Sequence, residues 1–265
     1  MEKAFEIIDI HCHIYPAKIE EKAVEAIGKF YNSPMKERGT AEALLEAGKT
    51  AGTGRFVVHS VATTAHQVQS VDDFIAYECS KHGEFIGFGS LHPDFPDIKA
   101  EVERMKVMGL KGIKFHPDFQ EFNIDDEKAM RMYEQIPKDM PILFHMGDER
   151  RTFSKPVRLS RVMDVFKEHT FIAAHFGGYM DWDEADEYLV GRKNLYMDTS
   201  SALFKLGYDR AERMIHTHGE ENFLYGTDFP MWNPKEELGK FMQIKLKDEE
   251  RRLILGQNAK RLLGL

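Results

Sequence analysis

His11 and His13 stand two residues apart at the end of the apolar run Ile7-Ile8-Asp9-Ile10, close to the start of the chain. In an extended strand, residues two apart point to the same side. Both imidazoles should therefore project together, with Asp9 below them on that face. Two such imidazoles make half of a metal site. The bland alternative is one packed histidine and one in a loop. The rest of the chain weighs against it, because His, Lys or Asp keeps appearing at the ends of similar apolar runs: His92, Lys114 with His116, His145, His175 and Asp228. His59 lies inside its run and is expected lower down. Buried imidazoles each need a hydrogen-bond partner, so core packing explains this placement poorly, whereas a bound cation explains it directly.

The elements that must position these residues alternate. Apolar, β-branched or aromatic runs predict strands at 7–13, 55–63, 84–92, 110–116, 141–147, 170–178, 194–201 and 222–230. Helical spacing is expected over 19–31, 41–47 (capped by Thr40), 67–82, 98–108, 125–136, 156–169, 181–190, 209–218, 234–244 and 248–263. In the first helix the apolar stripe is Ile19, Ala23, Ile27 and Phe30. Strict alternation means right-handed crossovers and a parallel sheet. Eight such units predict an α/β fold, a (β/α)8 TIM barrel forming a single domain over 1–265, with its chemistry at the C-terminal strand ends. A doubly wound open sheet would want a Gly-rich turn after its first strand, where this chain has His-x-His. Gly52-Thr53-Gly54 lacks the phosphate-loop pattern and is read as a turn. The connections look short, so no large lid is expected.

The 265 residues are 42% hydrophobic and 30% charged, as in globular chains with a sizeable core. A formal net charge of -8 argues against nucleic-acid binding. No run is long enough for a membrane span, and no leader segment is evident. Two cysteines, Cys12 and Cys79, are too few for a disulfide framework, so a cytoplasmic, reduced protein is expected. Cys12 alternates with the histidines and should point into packing.

Asp9-Ile10-His11-Cys12-His13, Gly112-Ile113-Lys114-Phe115-His116-Pro117, Phe144-His145-Met146-Gly147, Ala174-His175-Phe176-Gly177-Gly178 and Gly226-Thr227-Asp228-Phe229-Pro230 occur in that order, followed by Asn258-Ala259-Lys260-Arg261-Leu262-Leu263. Each is weak singly; together they resemble the amidohydrolase superfamily, in the branch of the aminocarboxymuconate-semialdehyde and resorcylate decarboxylases. The resemblance implies one divalent ion held by His11, His13, His145 and Asp228. Zinc suits three imidazoles and a carboxylate best, with manganese or iron as alternatives. It also implies His175 as a catalytic base, the alternative being a ligand of a second metal, and Asp228 as a group that takes a proton from water. Lys114 is read as an inward ammonium paired with a carboxylate such as Asp9 or Asp198. It could instead be carboxylated between two metals, or bind a substrate carboxylate together with His116. Arg150 is a candidate carboxylate clamp, or part of a solvated loop with Glu149 and Arg151. Trp182, Tyr179, Met231 and Trp232 are candidate pocket walls, and Asp198 and Ser200 candidate partners for the ligands.

The expected activity is hydrolysis of a small-molecule amide, ester or lactone by metal-bound hydroxide. The alternative is non-oxidative decarboxylation of an unsaturated or aromatic acid with the same ligands, and a third reading is a non-catalytic metal-binding barrel. A homodimer fits the family.

Overall fold

The apolar runs form eight strands: β1 (Ile8–His13), β2 (Arg55–His59), β3 (Phe85–Gly89), β4 (Gly112–Phe115), β5 (Ile142–Phe144), β6 (Phe171–Ala173), β7 (Leu195–Asp198) and β8 (Phe223–Leu224). Residues 5–265 of the computed structural model are described; residues 1–4, at the start of the expected domain and of the segment read for a leader, lie outside them. The strands pair in sequence order and all in parallel. The ring closes between the last strand and the first. The N–H of Ile10 donates to the Tyr225 carbonyl (2.9 Å), that of His13 to Phe229 (2.7 Å), and that of Asp228 to His11 (2.9 Å). This is a single-domain (β/α)8 TIM barrel.

Ile8, Ile10, Val57, Leu143, Ile172 and Leu224 fill the lower interior of the barrel. Cys12, Phe56, Val58, Ile113 and Phe144 belong to the layer between strands and helices. The parity of β1 is not constant. A register shift lies between Asp9 and Cys12, with Asp9 opposite Phe56 below it and Cys12 opposite Val58 above it. Both partners belong to the outer layer, so Asp9 faces outward and does not lie beneath His11 and His13. The bulge turns the two histidines inward above Ile8 and Ile10.

Several paired strands stop short of the runs that predict them. The run 170–178 forms a continuous ladder only over Phe171–Ala173, and 222–230 over Phe223–Leu224, with a single bridge from Phe229 back to Cys12. Beyond the ladder the backbone enters the left-handed region at His175 (φ 61°), Phe176 (φ 55°) and Asp228 (φ 61°), which parallel pairing cannot accommodate. The helix expected over 125–136 is confined to Glu127–Tyr133, and the closing helix is broken by a π turn at Leu253–Gln257.

The connection from β1 to β2 carries helices α1 (Glu20–Tyr31) and α2 (Ala41–Ala51), the second capped by the Thr40 hydroxyl accepting from Ala43 N–H (3.2 Å). Helix α3 (Val68–Lys81) follows β2. Contrary to the expectation of no large lid, α1 lies across the C-terminal mouth of the barrel and brings Tyr31 to the strand-end histidines. Short flanking loops conceal this, because the cover is itself a helix. Among the described residues, no helix is long and apolar enough to cross a membrane.

Candidate metal and active site

His11 and His13 reach the site from the bulged end of β1, and Asp228 from the loop after β8. Oδ1 of Asp228 lies 3.4 Å from Nε2 of His11 and 3.4 Å from Nε2 of His13. Nδ1 of His11 donates to Oδ2 of Asp198 at the end of β7 (2.8 Å), which leaves the Nε2 lone pair facing the centre. Oδ1 of Asp198 accepts the backbone N–H of His175 and of Ser200, both at 3.0 Å. Asp9, on the outer face, has a related role: its Oδ1 accepts from His11 N–H (3.1 Å) and Thr227 N–H (3.0 Å), tying the bulge to the loop that carries Asp228.

His145 and His175 follow β5 and β6. Nε2 of His145 donates to the Gly147 carbonyl (3.0 Å), and Nδ1 of His175 to the Ser200 carbonyl (3.1 Å). The remaining nitrogens, Nδ1 of His145 and Nε2 of His175, face one another across 2.9 Å. Two lone pairs at that distance repel unless a cation lies beside them. Gly147, at φ 75°, is required here: a Cβ would meet the Tyr179 backbone at 2.7 Å. The indole of Trp182, rather than walling a pocket, donates to the His175 carbonyl (2.9 Å) and steadies that left-handed turn.

Burial disfavours the charged form of these imidazoles, while the Asp228 carboxylate works the other way on His11, His13 and His175. The pKa values of His11 and His145 are pushed well below the ordinary value, first by desolvation and then by the nearby Lys114 and His175 respectively; those of His13 and His175 are also lowered chiefly by desolvation. For Asp228 burial works upward, but His11, His13 and His175 outweigh it and hold the carboxyl below the usual carboxylate range. Neutral imidazoles beside a carboxylate are the donors a divalent first-row ion takes. The facing nitrogens of His145 and His175 provide a further reason for a cation, so the residues present fit a metal. Among the described residues, three groupings of donor atoms lie within 4.8 Å: His11, His13 and His59; His11, His175 and Asp198; and His116, Asp118 and His145. The expected ligands are thus divided among them, with Asp228 joining through its 3.4 Å approaches.

Lys114 is buried, and its Nζ donates to Nε2 of His11 (3.0 Å) rather than pairing with Asp9. Desolvation lowers its pKa to about 8, against the attraction of Asp228 and Asp198. His59, expected lower, is level with His13 in the register and packs edge-on against it, ring centroids 4.4 Å apart. Neither of its ring nitrogens has a hydrogen-bond partner among the described residues. The His116 ring stacks on His145 with centroids 3.9 Å apart, and its Nε2 meets the Tyr31 hydroxyl at 2.9 Å. Arg150 sits beside the mouth: it pairs with Asp148 (2.7 Å), donates to the Phe30 carbonyl and covers the Phe30 ring at 4.7 Å.

Above the donors is a cavity of about 720 Å³ with His13, His116, His145 and Asp228 at its floor. Its walls come from α1, from the loop after β2 with the first turns of α3, and from Pro230 and Met231. Arg150 is not among its described lining residues, and Lys18, which is, is exposed at the rim.

The sequence profile of the family described as amidohydrolase matches residues 8–265. The chain belongs to the amidohydrolase family. Among curated proteins none matches it. The 2,6-dihydroxybenzoate decarboxylase from Rhizobium superposes on this chain with a TM-score of 0.73 at 17% identity, covering 98% of this chain and 99% of that one. The 5-carboxyvanillate decarboxylase from Novosphingobium aromaticivorans, solved with bound manganese, gives 0.76 at 14% identity, covering 100% and 98%. An uncharacterized TIM-barrel protein from Bordetella bronchiseptica gives 0.77 at 18% identity, covering 98% of each chain. At these identities the likeness is one of fold. Tyr31 has no signal in the sequence that separates it from any helix-end tyrosine; only the fold brings it to His116.

Proposed function

We propose that this member of the amidohydrolase family is a metal-dependent, non-oxidative decarboxylase of an unsaturated or aromatic carboxylic acid. The observation that carries the reading is the cavity: a floor of metal-type donors beneath largely apolar walls that offer no guanidinium. A carboxylate moved from water into such a space loses its hydration and gains no arginine in return, which favours its departure as uncharged carbon dioxide. The similarity in fold to decarboxylases over nearly whole chains supports the same reading.

His11, His13, His145 and Asp228 would hold the ion, which supplies Lewis acidity and positive charge at the cavity floor. The donor set suits zinc, and manganese is the ion in the Novosphingobium enzyme, so these are the two to be tested by metal analysis. Asp228 is the acid–base group that opens onto the cavity, and it delivers the proton to the carbon that loses carbon dioxide. A substrate carboxylate beside it is a like charge, which raises its affinity for that proton. His175, held by the Ser200 carbonyl and by Asp198, stands behind as the relay. His116 at the floor, with the Tyr31 hydroxyl on its Nε2, orients the substrate. Arg150 serves as a clasp on α1. The overall change is R–COO⁻ plus a proton giving R–H plus carbon dioxide.

Hydrolysis is the second reading. The low pKa of Asp228 favours it, because a carboxylate that stays ionised is ready to take a proton from water. Incubating the metal-loaded protein with aromatic acids, lactones and esters in D₂O and in ¹⁸O-water separates the two. Decarboxylation gives carbon dioxide and one deuterium at the vacated carbon, whereas hydrolysis leaves ¹⁸O in the organic product. A loaded protein that does neither across the panel would count for a non-catalytic barrel.

A further inference from the structure

Helix α1 has an apolar stripe, yet its only fully buried residue is Glu20. That carboxylate accepts Gly39 N–H (3.0 Å) and pairs with Arg38 (3.1 Å), which anchors the helix start. Ile19, Ala23, Ile27 and Phe30 do not enter the barrel core; they line the cavity. Across from them, Val61, Val71 and Phe74 form the opposite wall. The result is an apolar canyon that runs beside α1 from the strand-end histidines under Tyr31 toward Ile19. Twelve residues of helix give it a length on the order of 18 Å. A benzoate-sized acid at the floor would leave most of it empty.

We infer that the substrate carries an elongated apolar group, an alkyl or alkenyl chain, that lies in this canyon while its reacting end meets His13, His116 and Asp228. The inference rests on reading the floor as the reaction site, and holds for either reaction proposed there. The outer face of α1 supports a small-molecule occupant over a second copy of the chain. Glu21, Lys22, Glu25 and Lys29 are all exposed there beside Val24, while Ala23, Ile27 and Phe30 are turned toward the cavity and Ile19 stands exposed at its open end. A protein segment lying in the canyon would also seal the donors from any substrate.

The test uses straight-chain alkyl hydroxamic acids, from acetohydroxamic to octanohydroxamic, because a hydroxamate head binds a divalent ion whichever reaction the site performs. Calorimetric titration of the metal-loaded protein should show Kd falling about fourfold per added methylene until the tail outgrows the cavity. Ile27→Asp and Val71→Asp, on opposite walls, should collapse the ratio between the longest and shortest acids toward one. Metal content and sedimentation are measured on the same samples. Should either variant fail to hold its metal, Ala23→Phe replaces it and should exclude the long acid by filling the wall.

Equal affinity along the series would overturn the inference, as would failure of every hydroxamate to bind loaded protein. A slope that survives the variants would also overturn it. So would a dimer that the aspartates split while the slope stays flat, which would assign the canyon to a second copy. If the chain takes up no metal, displacement of anilinonaphthalene sulfonate by octanoate but not acetate reads the same walls. That result would separate a failed metal site from a failed canyon.

Discussion

Asp198 Oδ2 lies 2.8 Å from Nδ1 of His11, and the same carboxylate holds the backbone of His175 through its other oxygen. One side chain therefore sets the ring orientation of a metal-type donor and the position of His175, the relay proposed above. Asp198→Asn keeps the shape and weakens the acceptor. Metal affinity should fall about 10- to 100-fold, read by competition with a chromogenic chelator. An unchanged affinity would mean that His11 needs no such partner.

Arg150 clasps α1 through the Phe30 carbonyl and ring while paired with Asp148. The guanidinium is nearly half exposed, so the ion pair itself counts for little. Loss of the cation–π contact and the carbonyl bond in Arg150→Met should still speed amide hydrogen exchange across residues 20–31 by roughly fivefold. Metal content should not change. Exchange at the wild-type rate would show that α1 is held by other contacts.

Asp72 is buried in α3, with Oδ1 accepting Ser90 N–H (2.7 Å) and Oδ2 without a partner among the described residues. Burial holds its carboxyl well above the usual range, against the lowering effect of that amide. The folded chain therefore binds this proton more tightly than the unfolded chain does. The ionisation cost is absent below the unfolded value near ~4 and grows as pH rises toward the folded one. Asp72→Asn should accordingly be more stable than wild type in denaturant melts at pH 8, with the advantage vanishing near pH 4. An advantage that instead grows toward pH 4 would contradict the assignment.

Neither thiol should be reactive in the folded protein. Burial, followed by Glu78, pushes Cys79 up to about 12, and burial raises Cys12 well above its ordinary value. Near pH 8 the reactive thiolate of Cys79 is then on the order of one part in ten thousand. A chromogenic disulfide reagent should label both cysteines on denaturation and neither before it. Native labelling of Cys79 within minutes would show that the helix opens readily.

The barrel and the strand-end placement of the donors were legible because each unit repeats one physical signal, an apolar run ending in a polar side chain. The face of Asp9 was not, since alternation assumes constant parity and the bulge before Cys12 breaks it. Where the ladders stop was also hidden, because the left-handed turns at His175 and Asp228 are imposed by neighbours such as Asp198 and Trp182. The stripe of α1 was visible as apolar, but period alone cannot separate a face that fills a core from one that lines a cavity. Tyr31 and the clasp by Arg150 depend on contacts between distant segments, so no local pattern announces them.

The barrel closes by joining its first strand to its last, and the donors His11, His13 and Asp228 stand on the two sides of that seam. An ion held by these three would rivet β1 to the loop after β8. During synthesis, where N-terminal parts emerge first, both histidines would wait for more than 200 further residues before their carboxylate partner arrived. Metal capture would then be a late event in the life of each new chain, and a truncated product lacking β8 would have the histidines but no third donor at the seam.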